Sequence, residues 1–294
     1  MAWRYALVID PAAADDARTD FADTLTEIDP AAPALSVGEL STQRGDGIFE
    51  SIGVVDGHPQ ETSAHLERLA HSARLCDLPA PHLEQWRQAI ARVADAAEPG
   101  ESVIKLILSR GVEHGPTPTA WVTLAPAPDN TRAREHGIRV VTLDRGMDSG
   151  APARAPWLLL GAKTLSYAVN MAAIREAKRR GADDALFVTS DGFVLEGPTS
   201  SVLLRFGDRF VTPEPGSGIL HGTTQVSLFD HLTERGFVTA YEELPVTALA
   251  DADAAWLVSS VRLAAPISAI DDRELPIDAE FTASLNRYLL SPRD

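Results

Sequence analysis

Two prolines and two turn-forming residues interrupt the chain near its middle, in the stretch Ala125-Pro126-Ala127-Pro128-Asp129-Asn130. Neither a helix nor a central strand accepts this composition easily, because proline lacks a backbone donor and fixes φ. The chain has 294 residues, which is long enough for two packed units, since one domain spans roughly 100–200 residues. The sequence therefore predicts two domains, residues 1–130 and residues 131–294.

The charge balance and the cysteine count limit the partners and the compartment. With 42 acidic and 26 basic residues, the formal net charge is −16, which repels a nucleic-acid backbone. No stretch approaches the roughly 18 apolar residues of a membrane span, and the segment from Met1 to Asp10 predicts an opening strand, not a signal peptide. The only cysteine, Cys76, cannot form an intrachain disulfide. We expect a cytoplasmic protein that binds neither nucleic acid nor membrane.

The common hydrolase and metal motifs are missing from the sequence. The eight histidines are scattered, and none belongs to an H-E-x-x-H pattern. The sequence also has no G-x-S-x-G elbow and no P-loop. It therefore predicts no metal site, and it disfavours zinc hydrolases, serine hydrolases and P-loop enzymes.

Hydrophobic periodicity predicts alternating strands and helices in the first half. Apolar residues in the segment 61–76 recur at helical spacing, which places His65, Arg68 and Ser72 on a neighbouring polar face. A second helix is predicted from about Pro81 to Ala96. The predicted strands of this half are 47–55, 102–110 and 120–125.

Strands dominate the predictions for the second half. Helices are expected at 165–180 and 224–235. The predicted strands are 138–143, 185–189, 193–195, 202–206, 237–244 and 254–258, and an apolar strand, 157–162, is expected to precede Lys163. The fold class predicted from this pattern is α+β.

The chain has three lysines against 23 arginines, so amine chemistry has few candidates. Lys178 lies at a predicted helix C-terminus, where a cation offsets the helix dipole. Lys105 lies within an apolar strand and is interpreted as a sheet-face lysine that reaches water. Lys163 follows an apolar run and precedes a helix, so desolvation there would lower its pKa and leave a nucleophilic amine. On local sequence alone, an ordinary loop lysine also fits Lys163.

The wider pattern around Lys163 favours a catalytic role. Gly161-Ala162-Lys163-Thr164 is followed by Gly181-Ala182-Asp183-Asp184-Ala185-Leu186 and then by Asp191-Gly192-Phe193-Val194-Leu195-Glu196-Gly197. This order resembles the class IV aminotransferases, also called fold-type IV PLP enzymes. In that family a Schiff-base lysine precedes a helix, a strand with ADEAL-like letters and the motif D-G-x-V-x-E-G. Matches extend from Arg44 to Arg262.

The resemblance implies pyridoxal 5′-phosphate (PLP) as cofactor and assigns roles to individual residues. Lys163 would carry the cofactor as a Schiff base, and Glu196 would stabilise the protonated pyridine nitrogen. Arg68 matches the phosphate-binding arginine of the family. Thr223 and Thr224, in a block similar to G-I-L-x-G-I-T-R, and Ser260 would also bind the phosphate. As alternatives, Arg68 could be an exposed helix cation, Glu196 a turn carboxylate and the two threonines a helix N-cap.

The resemblance also implies an architecture like that of D-amino-acid aminotransferases. A smaller α/β sandwich-like N-terminal domain would precede a larger C-terminal pseudo-barrel, with PLP between them. A homodimer would complete each site, and the partner molecule would be a small amino substrate.

Two reactions of the family remain open. The segment Ser109-Arg110-Gly111-Val112-Glu113-His114 lacks the R-x-H pair with which D-amino-acid aminotransferases of the family bind the substrate carboxylate. Together with Ser259-Ser260-Val261-Arg262, it looks most like the 4-amino-4-deoxychorismate lyase branch, which releases pyruvate and 4-aminobenzoate for folate biosynthesis. Arg110, Tyr167 and Arg262 are the candidate substrate residues. An amino-acid aminotransferase (D-amino-acid or branched-chain) is the alternative, and a PLP-binding protein with little turnover is a third.

Three positions depart from the family pattern. Gln225 replaces the usual arginine of the phosphate block, Ser201 replaces an asparagine after the glutamate motif, and Ser166 replaces an asparagine seen in several relatives. None of these changes removes Lys163 or Glu196, so they bear on substrate choice more than on cofactor binding.

Overall fold

The computed structural model describes residues 3–294, which divide into two compact units. The first unit comprises the chain up to Pro128 together with Ala162–Tyr167 and Ser291–Asp294, and the second comprises Asp129–Gly161 and Ala168–Leu290. Met1 and Ala2, the first letters of the predicted opening strand, lie outside the described residues. The predicted boundary at residue 130 stays a prediction, but Lys163 belongs to the first unit.

The first unit is built on a six-stranded antiparallel sheet in the order β2-β1-β6-β5-β3-β4. Its strands are β1 (Tyr5–Ile9), β2 (Leu25–Ile28), β3 (Gly47–Val55), β4 (His58–Pro59), β5 (Glu101–Ser109) and β6 (Thr119–Pro126). Its helices are α1 (Leu40–Gln43), α2 (Thr62–Leu75) and α3 (Leu83–Ala94). Both long helices pack on the sheet, because their apolar stripes meet the alternating apolar residues of the strands.

The polar face predicted on α2 carries His65, Arg68 and Ser72, and two of these three residues are buried. His65 and Ser72 are buried, with 1% and 0% of their surfaces exposed. A side chain that bonds to neighbouring polar groups can be buried at low cost, and helical spacing does not reveal such partners in advance.

The second unit has an eight-stranded mixed sheet in the order β11-β10-β9-β12-β13-β7-β8, with β14 beside β13. The strands are β7 (Ile138–Asp144), β8 (Asp184–Val188), β9 (Ser201–Phe206), β10 (Arg209–Pro213), β11 (Val238–Glu242), β12 (Ala254–Ser259), β13 (Leu263–Ile270) and β14 (Arg273–Glu274). The helices are α4 (Thr131–His136), α5 (Ala151–Arg154), α6 (Ala168–Arg179), α7 (Thr223–Glu234) and α8 (Ala279–Leu290). Two sheets with packed helices confirm the predicted α+β class.

Two predicted strands of the second half are wrong. The segment 157–162 is not extended, because Pro156 starts a short 3-10 turn and Leu159 and Gly161 have φ values of 53° and 85°. The apolar residues of this segment are not all buried, since Trp157 is 74% exposed. The segment 193–195 forms isolated bridges at Phe193 and Val194 and is not a strand. Among residues 3–294, no helix combines the length and the apolar character needed to cross a membrane.

Candidate active site

Lys163 is held against β3 by backbone hydrogen bonds. The Phe49 N–H donates to the Lys163 carbonyl at 3.0 Å, and the Leu165 N–H donates to the Gly47 carbonyl at 2.8 Å. The Lys163 N–H donates to Ser72 Oγ on α2 at 3.1 Å. These bonds explain why α6 begins at Ala168 and not at the predicted position 165: the segment before it is paired with β3.

The amine of Lys163 lies among aromatic rings. Its Nζ is 4.4 Å from the ring centre of Phe49 and 5.8 Å from that of Tyr167. The two rings contact each other edge to face, with centres 5.2 Å apart. Ring faces attract a cation and exclude water. The structure therefore brings Tyr167, a predicted substrate residue, to the predicted cofactor lysine.

Lys105, a residue without a predicted function, is a further candidate functional residue. Its Nζ lies 4.9 Å from the centre of the same Phe49 ring, and burial lowers the pKa of this ammonium. No hydrogen bond or ion pair of its amine is found within residues 3–294. Lys105 is partly exposed on the sheet face, which agrees with the interpretation as a lysine that reaches water, and its ammonium is partly desolvated.

Cross-strand register places polar residues beside Lys105. Ser51 and Thr123 lie directly opposite it on β3 and β6, so the three side chains share one face of the sheet. Thr123 Oγ1 is buried and has no hydrogen-bond partner within the described chain. A partly buried cation beside an unsatisfied hydroxyl is suited to bind an anionic group. Sequence spacing alone could not reveal this row, because its members are far apart in the chain.

Arg68 belongs to a buried network on α2 and β3. Its Nε and Nη2 donate to the two carboxylate oxygens of Glu50 at 2.8 and 2.7 Å, and Glu50 also bonds His65 Nδ1 at 2.8 Å. Burial alone would raise the pKa of Glu50, but Arg68 and His65 together hold it well below its usual range. Burial lowers the pKa of His65, which therefore donates as a neutral imidazole. Arg68 is thus not the exposed helix cation of the alternative interpretation; its side chain is 11% exposed.

Arg110 is engaged within the first unit. Its Nε and Nη2 donate to the carboxylate of Asp46 at 2.7 and 3.2 Å. Its Nη1 and Nη2 also donate to the carbonyls of Asp77 and Cys76. These contacts tie the end of β5 to the loop before β3 and to the end of α2. These bonds give Arg110 a role in holding the fold together, and they do not place it at Lys163.

In the second unit, Glu196 accepts a hydrogen bond from the Leu220 N–H at 3.2 Å through Oε2. The Glu196 carbonyl accepts from Phe187 of β8, which fixes the backbone of the glutamate. Leu220 leads directly into α7, so the carboxylate is connected to the segment that carries Thr223 and Thr224. The structure brings these predicted cofactor residues into one region of the second unit.

Three hydroxyl groups meet at the N-terminus of α7. Ser260 Oγ lies 3.2 Å from Thr224 Oγ1 and 3.4 Å from Thr223 Oγ1. Gly222 precedes this 12-residue helix and supplies no capping side chain. The helix N-terminus therefore presents backbone donors beside the hydroxyls, which suits a dianionic phosphate.

The three departures from the family pattern have local partners. Gln225 is buried and donates to the Tyr241 hydroxyl at 3.2 Å. Ser201 packs closely on Gly222. A Cβ added to Gly222 would collide with the Ser201 hydroxyl. Ser166 donates to the Gly45 carbonyl at 3.1 Å. Arg262, the last predicted substrate residue, forms an ion pair with Asp184 at 2.6 Å.

Comparisons with known proteins identify the family. The chain matches the family described as Amino-transferase class IV over residues 47–270 and belongs to it. It is 44% identical over 260 residues to the Bifunctional aminodeoxychorismate lyase / D-amino acid transaminase of Mycobacterium tuberculosis, a match that covers 85% of this chain and 90% of that protein. The chain is therefore a PLP-dependent class IV enzyme.

Solved structures share the fold over nearly the whole chain. A fold IV-transaminase from Curtobacterium pusillum superposes with a TM-score of 0.92 at 48% identity, covering 98% of this chain and 99% of that one. The PLP-bound form of a hypothetical aminotransferase from Mycobacterium tuberculosis gives a TM-score of 0.89 at 40% identity, covering 98% and 99%. These matches confirm the predicted fold-type IV architecture.

The side chains of each unit fit the cofactor. The first unit offers an amine over aromatic rings at Lys163 and a carboxylate-anchored guanidinium at Arg68. The second offers a carboxylate at Glu196 and a set of hydroxyls at the N-terminus of α7. An imine-forming amine, an acid for the pyridine nitrogen and donors for a phosphate are the groups that PLP requires.

Proposed function

We propose that this enzyme is a 4-amino-4-deoxychorismate lyase, which releases pyruvate and 4-aminobenzoate and so serves folate biosynthesis. The observation that carries the proposal is the second ammonium, Lys105, over the ring that also contacts Lys163. A substrate with one amine and two carboxylates needs a nucleophilic lysine and a cation beside it. The 44% identity to an enzyme named for this lyase activity supports the same choice.

In the first unit, Lys163 and Arg68 are the residues proposed to hold the cofactor. Lys163 would bind the cofactor aldehyde, and Arg68 would bind its phosphate while Glu50 keeps the guanidinium oriented. In the second unit, Thr223, Thr224 and Ser260 would donate to the phosphate.

Glu196 is proposed to hold a proton on the pyridine nitrogen of the cofactor. The Leu220 N–H donates to one carboxylate oxygen of Glu196 and so orients the group. When bound, PLP supplies an electron sink for the carbon that bears the substrate amine.

Proton transfer falls to Lys163 in this proposal. Its Nζ would remove the proton from the substrate carbon that bears the amine. The bond to the enolpyruvyl oxygen then breaks, the ring becomes aromatic, and the departing group takes up a proton to become pyruvate. Phe49 and Tyr167 would exclude water from this amine.

Lys105 is proposed to bind a substrate carboxylate, with Ser51 and Thr123 lining the same sheet face. Arg110, by contrast, already bonds a carboxylate and two carbonyls, so a substrate would have to break these contacts to use it. We therefore move the substrate role from Arg110 to Lys105.

Amino-acid transamination is the second candidate, because the relative from Mycobacterium tuberculosis is named for D-amino acid transaminase activity as well. Glu113, which lies in the loop where D-amino-acid aminotransferases carry the R-x-H pair, forms an ion pair with Arg44 at 3.2 Å. A carboxylate in this loop disfavours binding of an amino-acid carboxylate there.

A product assay separates the two activities. Purified protein with PLP should release 4-aminobenzoate and pyruvate in equal amounts from 4-amino-4-deoxychorismate. Lys105→Met should raise the KM for this substrate by about tenfold, the effect of losing one charge-assisted contact, while Lys178→Met serves as the lysine control. Amination of 2-oxoglutarate from D-amino acids without any 4-aminobenzoate would contradict the lyase proposal.

We also propose that the enzyme is a cytoplasmic homodimer. Several large apolar side chains of the second unit are exposed, among them Trp157, Leu158, Val169 and Met171. Such residues are typical of surfaces that a partner covers. The molar mass in solution, measured by light scattering, tests this: twice the chain mass of 31.5 kDa is expected, and a monomer would contradict it.

A further inference from the structure

The turn between β12 and β13 carries Ser260 to the N-terminus of α7. The Ser260 hydroxyl reaches both Thr223 and Thr224 there. Any shift of this turn would move one of the three hydroxyls proposed to bind the phosphate. The position of the turn is therefore a property that the fold must fix.

Several polar contacts hold the backbone of this turn. Arg134 Nε donates to the Arg262 carbonyl at 2.9 Å, and its Nη2 donates to the Val261 carbonyl at 3.2 Å. The Arg262 N–H donates to Ser259 Oγ at 3.2 Å. The next residue, Leu263, has a φ of 62°, a conformation that a non-glycine residue keeps only where its surroundings enforce it.

The side chain of Arg262 connects this turn to a separate strand of the sheet. Its Nη2 lies 2.6 Å from Oδ2 of Asp184, the first residue of β8, whose side chain is only 2% exposed. Asp184 Oδ1 accepts from the Ala185 N–H at 2.8 Å, so the carboxylate is itself fixed. A buried carboxylate without its cation is costly, so the pair persists once it has formed.

We propose that Arg262 is a positioning residue that acts through Asp184 to place Ser260 for the phosphate, and that it does not bind a substrate carboxylate. This inference rests on the proposed phosphate role of Ser260. The ion pair with the buried carboxylate of Asp184 ties the Arg262 guanidinium to β8, and the turn carbonyls are already bonded, so the guanidinium acts on the position of the turn.

The test compares cofactor affinity with substrate KM in the full-length enzyme. Arg262→Gln and Asp184→Asn should each raise the Kd for PLP by about tenfold, the loss expected for one charge-assisted contact. The KM at saturating PLP should stay within about twofold of the parent value. Arg262→Lys retains a cation for Asp184 and should recover part of the PLP affinity.

Two further variants make the result specific. Arg205→Gln breaks another arginine–aspartate pair of the second unit, Arg205–Asp278 at 3.0 Å, and should leave the Kd for PLP unchanged. The double variant Arg262→Gln/Asp184→Asn should be no weaker in PLP binding than either single variant, because both act on one contact. It also avoids the unpaired charge that could prevent either single variant from folding.

The outcomes separate this inference from the proposed function. A raised KM with an unchanged Kd for PLP would overturn the inference and make Arg262 a substrate residue. A lower melting temperature with both constants unchanged would also overturn it and leave a purely structural pair. If Ser260→Ala does not weaken PLP binding, the phosphate role of Ser260 itself fails, and the inference fails with it.

Discussion

At the scale of single residues, the chemistry of the first unit depends on the surroundings of each charge. Lys163 and Lys105 lie over one aromatic ring, whereas Arg68 is paired with a fully buried carboxylate. The two amines therefore contact an aromatic face, whereas the arginine is held in one orientation by its carboxylate. Glu50 is the residue on which that orientation depends.

Glu50 makes the stability of the folded protein depend on pH. Its pKa is lowered in the folded state from an ordinary value of 4.5, so its stabilisation is complete above that value and is lost as the pH falls toward the folded pKa. The pKa of His65 is also lowered, from 6.5, so protonation in the unfolded chain adds to the loss of stability below that value. The melting temperature should therefore fall steadily from about pH 6.5 downward.

Glu50→Gln should remove the part of this acid dependence below pH 4.5 and cost about 3 kcal/mol at neutral pH, because Arg68 loses its buried partner. Calorimetry from pH 3 to pH 7 measures both effects. Glu234→Gln, at an exposed position, is the matched control. If the melting temperature of Glu50→Gln fell below pH 4.5 as steeply as that of the parent protein, the buried network would not stabilise the fold.

Residue-level predictions from sequence came from motifs, and the roles they assign stay predictions. The motif identified Lys163, Glu196 and the threonines of α7, and the structure places Glu196 and Thr223 in one region of the second unit. Lys105 was missed because its environment is created by cross-strand register with Ser51 and Thr123. Pairings between distant segments cannot be read from local composition.

At the scale of secondary-structure elements, strong hydrophobic periodicity predicted the ends of β3 and α2 closely. The strand β3 has the predicted limits, Gly47–Val55, and α2 covers Thr62–Leu75 within the predicted 61–76. The run before Lys163 was misread as a strand because its letters are apolar, although proline and two residues with positive φ prevent an extended chain. From Lys163 to Leu165, hydrogen bonds with β3 fix the path of the backbone.

The pairing of the Lys163 segment with β3 depends on a glycine. A Cβ on Gly47 would lie 2.8 Å from the Leu108 carbonyl, the Ser109 Cα and Leu165 Cδ1. Gly47→Ala should therefore displace the lysine segment and cost about 2 kcal/mol through overpacking. We expect slower PLP attachment to Lys163 and a lower melting temperature.

Gly216→Ala is the control for this change, because the nearest atoms to its added Cβ are about 4.0 Å away on the Glu214 side chain. Stopped-flow absorbance measures the attachment rate in both variants. A normal rate in Gly47→Ala would show that the segment tolerates displacement and that its pairing does not position the lysine.

At the scale of the whole molecule, chain order and structural order differ. Two short segments from the second half, Ala162–Tyr167 and Ser291–Asp294, belong to the first unit. The sequence predicted one boundary near residue 130 because the proline-rich stretch is visible locally. The sequence does not reveal that these two segments return to the first unit, since each return depends on a few specific contacts.

The last residues of the chain fasten the start of α2. Arg293 Nε bonds Glu61 at 3.1 Å, with side chains 14% and 8% exposed, and Asp294 accepts from the Ser63 N–H at 2.8 Å. Arg293→Gln should lower the free energy of unfolding by about 2 kcal/mol, because Glu61 stays buried without its cation. Urea unfolding measures the change, and Arg287→Gln, at an exposed position, is the control. Equal stability of the two variants would contradict this anchoring role.

Lys163 is proposed to be the amine that binds the cofactor, and the other proposed roles depend on it. Borohydride reduction of the PLP-loaded enzyme, followed by peptide mapping, tests it most directly. We expect one pyridoxyl label per chain, on the peptide that contains Lys163, and no label on that peptide in Lys163→Arg. A label on Lys105 or Lys178 in the parent protein would contradict the account.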